Sequence, residues 1–561
     1  MYSILFPNEN SISEMKNLSE TTLHDLGLDQ IIKSLSNKEV EQNFIQKTMS
    51  LISADPALAA YRCDVFEDIL NNPSMRTSIM KILDEVNFLK NYGSFKSNYT
   101  DDATVWDLLH RLDEINDYIK CVEALFECLD QKEIKSEGLI NLRNYVNDIY
   151  QNRAFAELRQ DVSKLKFETS DLKSVTVGIN LNSCFEADSI GLISINNKYF
   201  TKSGILSNFI EKLSPTDDIQ DGNEWNESYK YHEFEVNSLA EGVESLAKFS
   251  LAASHPVMAM SLASVPEKDP VADIPRYMNR ITNQMLTLTT KKLKETLKKY
   301  VSITITDITN LIPEFMYYIS WAEYVEKMQK RGFTFSKAVP FDNDIQMDAQ
   351  GIYNMKLLGG NITKDELVTN DLDFSSKDGV YILTGANRGG KTTITQAIGQ
   401  LFVMAQGGIY IPGEQFKFVP VDNVYTHFPA DEDKTLDLGR LGEECQRFKA
   451  MYSDCTSKSL LLLNETFSTT SFEEGYFIAR DSIRAILKKR VRTIYNTHMH
   501  KLAKDIDILN DESPDFKATS LIVVSKEKQR SFKIKKAAPE GLSYANDIAE
   551  KYGVTFEMLT N

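Results

Sequence analysis

Gly385-Ala386-Asn387-Arg388-Gly389-Gly390-Lys391-Thr392 is the stretch that decides how the rest of the chain is read. It has the spacing G-x-x-x-x-G-K-[ST], in which glycines let backbone N–H groups close around phosphate oxygens. The lysine of such a loop reaches the β- and γ-phosphates, and the hydroxyl beside it is placed to ligate Mg²⁺. Here these are Lys391 and Thr392, with Thr393 next along the chain. The flanks agree with that reading. Val380-Tyr381-Ile382-Leu383 is an apolar run of strand length, and over 393–404 Ile394, Ile398, Leu401 and Phe402 share one helical face. Strand, glycine loop and helix in that order aim a helix N-terminus at bound phosphate. They predict a nucleotide site, with ATP and Mg²⁺ as cofactors and residues 385–393 as the cradle.

Working outward, 561 residues leave room for two to four domains with sizeable cores. No apolar run approaches the ~18 residues that span a membrane. The opening residues lack the charged and apolar regions of a signal peptide, so a cytoplasmic protein without a membrane partner is expected. Cysteines 63, 121, 128, 184, 445 and 455 are scattered without a C-x-x-C pair, which argues for reduced thiols and against a zinc or disulfide framework. The net charge of −17 counts against wrapping of DNA by bulk electrostatics, which usually goes with a basic chain. Contact with DNA then needs a local basic surface, or the partner is a protein.

Residues 1–115 alternate polar turns with short amphipathic helices, one opening over 26–32 and another over 61–70 with Val65, Phe66, Ile69 and Leu70 on one face. Over 118–168 Leu139, Leu142, Val146 and Ile149, then Leu158, Val162 and Leu165, predict long helices. Val175, Val177, Ile179 and Leu181 alternate strictly, predicting a strand, with two more over 190–199 and 229–236. Helical spacing returns after 237, and 276–330 reads as a long helical segment interrupted near Pro313, with a local strand open at 301–305. Between 276 and 300 lie Arg276, Arg280, Lys291, Lys292, Lys294, Lys298 and Lys299 against Glu295 alone. That strip is either a phosphate-contacting surface or a solvated helix face. Residues 335–378, rich in Asp, Asn, Gly and Lys, read as a junction.

Beyond the loop, Leu460-Leu461-Leu462-Leu463-Asn464-Glu465 has the form of a Walker B strand. Such a strand ends in an acid that supports Mg²⁺, followed by a Glu that takes a proton from the attacking water. Glu465 fits the base. Asn464 stands in the metal-supporting place, where its amide oxygen can hold a magnesium-bound water without the charge that favours the metal. Weaker Mg²⁺ binding and slower hydrolysis follow. A second β-rich run over 491–495 ends in Asn496-Thr497-His498, and 520–524 with 531–536 predicts a closing hairpin.

These segments resemble the MutS mismatch-repair family. The resemblance rests on Thr384-Gly385 through Thr393-Ile394, including Asn387 and the Gly389-Gly390 pair, and on the run from Met404 through Ala405-Gln406 to Pro412. Ala386 and Thr392 replace the family's usual Pro and Ser. Further matches are Asn370-Asp371 before the strand, Ser468 to Ser471 after Walker B, and Ser543-Tyr544. The T-H pair places His498 at the family's switch, where a His senses the γ-phosphate and orients water, so His498 joins Glu465 as a catalytic candidate; His500 is read as surface. The resemblance implies an α+β multidomain chain: a helical N-terminal region (1–115), lever helices with a small β-rich clamp-like module at about 170–236 (116–335), and an ABC-type α/β P-loop ATPase domain (336–561). It implies an ATP-dependent DNA-binding protein that clamps duplex or branched DNA in repair or recombination, as a homodimer through its ATPase domains. Four departures qualify this. The Phe-x-Glu mismatch-reading domain is not evident, nor is the helix-turn-helix tail. Tyr353-Asn354-Met355 occupies the place of an R-H-P element, and the signature-like stretch 431–447 keeps Gly439, Arg440, Gly442 and Glu444 but no serine. Two alternatives stay open: an ATP-gated switch with weak hydrolysis, and an ABC-type ATPase that clamps a protein.

Overall fold

The computed structural model describes residues 3–85, 105–170, 174–196, 295–296, 311–539 and 550–560, with short interruptions at 9, 14, 131–132, 182, 184–186, 342–346, 361, 376, 387, 430–438, 527–528 and 551. By its contacts the chain forms two compact units, one of residues 1–91, 124–146 and 307–561, the other of 92–123 and 147–306.

At the N-terminus of the first unit, Glu20–Asp25 (α1) starts at Ser19, whose hydroxyl accepts from the Thr22 N–H. Leu28–Leu35 (α2) and Glu39–Ser50 (α3) follow, then Pro56–Asn71 (α4), which starts at Asp55 with proline at its first position. As the spacing predicts, Val65, Phe66 and Ile69 of α4 are buried. In the middle of the chain the helical stretch is three helices, Val105–Asp130 (α5), Glu137–Tyr150 (α6) and Arg153–Ser170 (α7). Leu139, Leu142 and Val146 form the buried stripe of α6, and Leu158, Val162 and Leu165 that of α7. In the second unit, Ser174–Leu181 (β1) and Ala187–Asn196 (β2) pair antiparallel, and Arg159 of α7 bonds Glu123 at 2.8 Å. The predicted strands over 229–236 and 301–305, and all of the basic strip but Glu295, lie outside the described residues.

Leu311–Lys330 (α8) corrects one expectation. Pro313 lies inside it, and the helix runs unbroken from there to Lys330; the part of the predicted segment before 311, Glu295 and Thr296 apart, lies outside the described residues. Phe315, Tyr317, Tyr318, Trp321 and Val325 are all buried, so α8 is a core helix rather than an amphipathic one.

The stretch read as a junction is also folded. Ala338–Pro340 (β3), Met347–Ile352 (β4) and Asn370–Phe374 (β5) join a later strand in a four-stranded sheet. Asp378–Thr384 (β6) enters the glycine loop, and Lys391–Gln406 (α9) leaves it. Gln415–Phe418 (β7) completes the small sheet, ordered β3-β7-β4-β5. Val424–His427 (β8), Leu460–Asn464 (β9), Arg492–Asn496 (β10), Lys517–Lys526 (β11) and Gln529–Lys536 (β12) build the main sheet with β6, in the order β8-β9-β10-β6-β11-β12. All its pairs are parallel except the closing hairpin β11-β12. Strands buried on both faces need unbroken apolar runs, which is why 380–383 and 460–463 read as they do. Gly439–Asp454 (α10) and Phe472–Lys489 (α11) connect these strands, and α11 starts at Ser471. No described helix is long and apolar enough to cross a membrane.

Candidate nucleotide site

The parallel order puts the C-terminal ends of β6, β9 and β10 side by side, the place where open α/β sheets bind ligands. The loop after β6 holds conformations that glycine permits, with φ of 146° at Gly385 and 89° at Gly390; Arg388 shares the left-handed region at 58°. A Cβ on Gly389 would lie 2.8 Å from the Ala386 carbonyl, so the loop closes only with glycine there. The Lys391 ammonium donates to the Gly385 and Ala386 carbonyls at 3.0 and 3.2 Å. Burial lowers its pKa, and the Glu465 carboxylate opposes that shift. Asn387 lies outside the described residues. Thr393 contributes its carbonyl, which accepts from Asn354 Nδ2 at 2.9 Å.

Register brings the second half of the site together. Asn464 ends β9 directly beside Asn496 at the end of β10. The Thr392 hydroxyl donates to Asn464 Oδ1 at 3.0 Å, and Asn496 Nδ2 donates to the same oxygen. Next in the chain, Glu465 takes φ 53° and its N–H donates to the Asn496 carbonyl at 2.8 Å. A non-glycine residue in that region costs of order 1 kcal/mol, and such strain collects at functional sites. His498 Nε2 lies 2.6 Å from Glu465 Oε1. This hydrogen bond, more than any other influence, holds the Glu465 carboxyl below the usual glutamate range, against the effect of burial. All the described residues predicted for the site therefore converge at one end of the sheet.

Three findings were not anticipated. First, the polar stretch 352–370 walls the cavity beside the loop. That cavity measures about 410 Å³, and Tyr353, Asn354, Leu357 and Val368 face the glycine loop, Lys391 and Glu465 across it. Second, Asn370 accepts from the Ile534 N–H at 2.9 Å and donates to the Phe532 carbonyl at 3.1 Å. It thereby fixes the closing hairpin so that half-exposed Phe532, at φ 55°, lines the cavity. Third, Glu444 turns inward. Its carboxylate accepts from Thr469 at 3.0 Å, and its carbonyl bonds buried His427, whose other ring nitrogen meets Thr466. Burial pushes His427 down to about 4, so it stays neutral while bracing the turn after Glu465. Residues 431–438 of the signature-like stretch lie outside the described residues; Gly439 and Arg440 are the first described residues of α10. The surface reading of His500 is corrected. It is half-buried, its Nδ1 has no hydrogen-bond partner among the described residues, and burial chiefly lowers its pKa.

The donor set suits a phosphate-borne hard cation. A hydroxyl and an amide oxygen converge, with no group of three or more His, Cys, Asp or Glu side chains among the described residues that would hold a metal unaided. The glycine cradle, which a Cβ would fill, suits the phosphates.

Sheet order, glycine loop and Walker-type strand end define the class, a P-loop nucleotide-binding fold. The comparisons then give the family. MutS domain V matches residues 381–559, and the MutS2 N-terminal domain matches 54–331. The mismatch repair protein MutS of Chlorobium phaeobacteroides is 33% identical over 149 residues, 25% of this chain and 16% of that protein. MutS of Caldanaerobacter subterraneus is 31% identical over 144 residues, 26% of this chain and 17% of its own length. Endonuclease MutS2 of Thermus thermophilus is 26% identical over 197 residues, 35% of this chain and 25% of its own. The chain belongs to the MutS family. The matched segment spans a quarter or less of the length of each of these relatives.

Proposed function

We propose that the chain is an ATP-dependent DNA-binding protein of the MutS type, which couples ATP binding and hydrolysis to its grip on duplex or branched DNA. The observation that carries this reading is the convergence of Lys391, Thr392, Asn464, Glu465 and His498 at one end of the sheet, beside a cavity of nucleotide size. Residues 385–393 would cradle the phosphates, with the Lys391 ammonium leaving the loop carbonyls for phosphate oxygens. Thr392 and Asn464 would hold Mg²⁺, which supplies charge neutralisation at the phosphates. Phe532 and Tyr353 would meet the base. Glu465, ionised at neutral pH, would accept the proton of the attacking water, and His498 would fix the direction of that carboxylate. Two copies joined through their ATPase domains would open and close with nucleotide, moving lever helices and the hairpin module that contains β1 and β2.

Asn464 favours a second reading, a nucleotide-gated switch with slow turnover, since its neutral oxygen gives the cation no charge. The test is binding of purified chain to linear, mismatched and branched duplexes, with and without ATP, alongside phosphate release. Nucleotide-dependent, salt-sensitive preference for one DNA supports the proposal, because phosphate contacts release counterions. Absence of binding to every DNA at low salt would refute the DNA partner. Binding without measurable turnover would select the switch.

A further inference from the structure

We infer that Asn496 is a positioning residue that makes Asn464 serviceable at the cation site, by holding its amide with the oxygen toward Thr392. The inference rests on the proposed nucleotide reading and extends it to a residue outside that site. An asparagine in a metal-supporting place has a difficulty that an aspartate lacks. Its two ends are nearly the same shape, but only the oxygen can accept a hydrogen bond or face a cation. If the amide turns over, an NH₂ group points at the metal and at the Thr392 hydroxyl.

The structure removes that ambiguity. Asn464 and Asn496 are direct partners at the ends of neighbouring parallel strands. Both are buried, Asn496 completely. Asn496 Nδ2 donates to Asn464 Oδ1, and Thr392 Oγ1 donates to the same oxygen at 3.0 Å. Two donors on one oxygen fix which end of the Asn464 amide faces the site. They also fix the Thr392 hydroxyl as a donor to Asn464; its oxygen accepts a longer bond from Asn496 Nδ2 at 3.4 Å, which leaves one lone pair for a cation. Turning the Asn464 amide alone would set NH₂ against NH₂ in a place closed to water; turning both amides together would keep their hydrogen bond but put an NH₂ at the cation site. The Asn496 side-chain oxygen Oδ1 is itself buried with no hydrogen-bond partner among the described residues. Buried polar atoms rarely go unpaired, so an asparagine here needs an explanation beyond strand structure. Its amide nitrogen supplies one.

The inference makes Asn496 necessary only while residue 464 is an amide, because a carboxylate accepts through either oxygen. The experiment measures Mg²⁺-dependent binding of a fluorescent ATP analogue to the full chain in four forms: native, Asn496→Ala, Asn464→Asp and the double variant. Asn496→Ala should raise the Mg²⁺ concentration for half-maximal effect by about tenfold, the usual scale for losing a partner that orients a metal ligand. Affinity without Mg²⁺ should stay within about twofold, since the phosphate cradle is untouched. In the Asn464→Asp background the same replacement should change the Mg²⁺ requirement by less than about twofold. Asn496→Ser, which keeps a donor, should restore part of the loss and serves if the alanine variant does not fold. An equal loss in both backgrounds would overturn the inference by giving Asn496 a merely structural role, as would no loss in the native background. Failure of the native chain to bind the analogue at all would overturn the nucleotide reading and this inference with it, which separates that result from the other two.

Discussion

Replacing Glu314 with Gln should remove a pH dependence of stability that the fold builds in through its N-terminal segment. The Glu314 carboxylate on α8 accepts from the Ser3 hydroxyl at 2.9 Å, the Ile4 N–H at 2.7 Å and the Leu5 N–H at 3.3 Å. Those bonds, and the charge of Arg62, favour the ionised form, but burial outweighs them and raises the group to about 7. Tyr61 and Tyr318 bond the Ser3 and Ile4 carbonyls of the same strap. The sign follows from proton counts. Between the ordinary glutamate value of 4.5 and about 7 the native chain holds a proton that the unfolded chain has lost, so stability falls as pH rises through that window. A carboxyl carried from 4.5 to about 7, at 1.36 kcal/mol per pH unit, amounts to roughly 3 kcal/mol lost between pH 5 and 8. Gln is nearly isosteric, can accept from both backbone N–H groups through one oxygen, and carries no such dependence. Denaturant midpoints at pH 5, 6, 7 and 8, with amide exchange of residues 4 and 5, give the measurement; the exchange data localise the change in a chain whose unfolding need not be two-state. The Gln variant should match the native chain near pH 5 and exceed it increasingly above pH 6. Parallel pH profiles for the two proteins would refute the reasoning.

Three further outcomes follow from the site and the core. Lys391→Ala should weaken ATP binding by about ten- to a hundredfold, the scale of one or two charge-assisted hydrogen bonds, as read by equilibrium titration. Glu465→Gln should leave nucleotide binding intact and lower steady-state phosphate release by about 10²- to 10⁴-fold; because His498 holds the Glu465 carboxyl low, native turnover should persist on acidification to below the usual glutamate range before that group limits it. Gly379→Ala places a Cβ 2.0 Å from the ring of fully buried Phe516 and should cost about 1–3 kcal/mol, seen as a lowered melting temperature that Phe516→Leu partly restores.

What the sequence disclosed, it disclosed locally. The glycine loop, the four leucines of β9 and the Asn496-Thr497-His498 ending each hold their chemistry within a few residues, so spacing alone locates them. The opposite wall of the cavity is not local. Asn354 and Asn370 reach it only because β4 and β5 pair with each other and β4 with β7, and Phe532 only because Asn370 pins the hairpin. In a linear reading those residues are scattered polar positions in a loop-like stretch. Short strands with mixed burial, such as β4, carry too little alternation to announce themselves. Glu444 failed for a related reason: its position in the chain says nothing about whether it points outward or at His427.

The helix that follows the glycine loop ties phosphate binding to the rest of its unit, and the ties are polar groups on a helix that is otherwise core. Gln396 and Gln400 of α9 donate to the Asp25 and Leu26 carbonyls at the end of α1, at 2.7 and 2.8 Å. Gln400 also accepts from the Met355 N–H and donates to Asn354, whose own amide holds the Thr393 carbonyl. At the far end Gln406 donates to the Ser53 carbonyl, and buried Arg62 on α4 donates to the Gln406 carbonyl at 3.0 Å while its Nε bonds Leu5 in the strap that Glu314 holds. Each of these amides is buried or nearly so, and an unpaired buried amide costs about 1–3 kcal/mol. A shift of α9 that broke them would be opposed several times over. Movement of α9 on phosphate engagement would therefore carry the N-terminal helices and the cavity wall along with it. The apolar face of α9 alone would permit sliding; its glutamines make it a rigid link between the loop and the N-terminal helices.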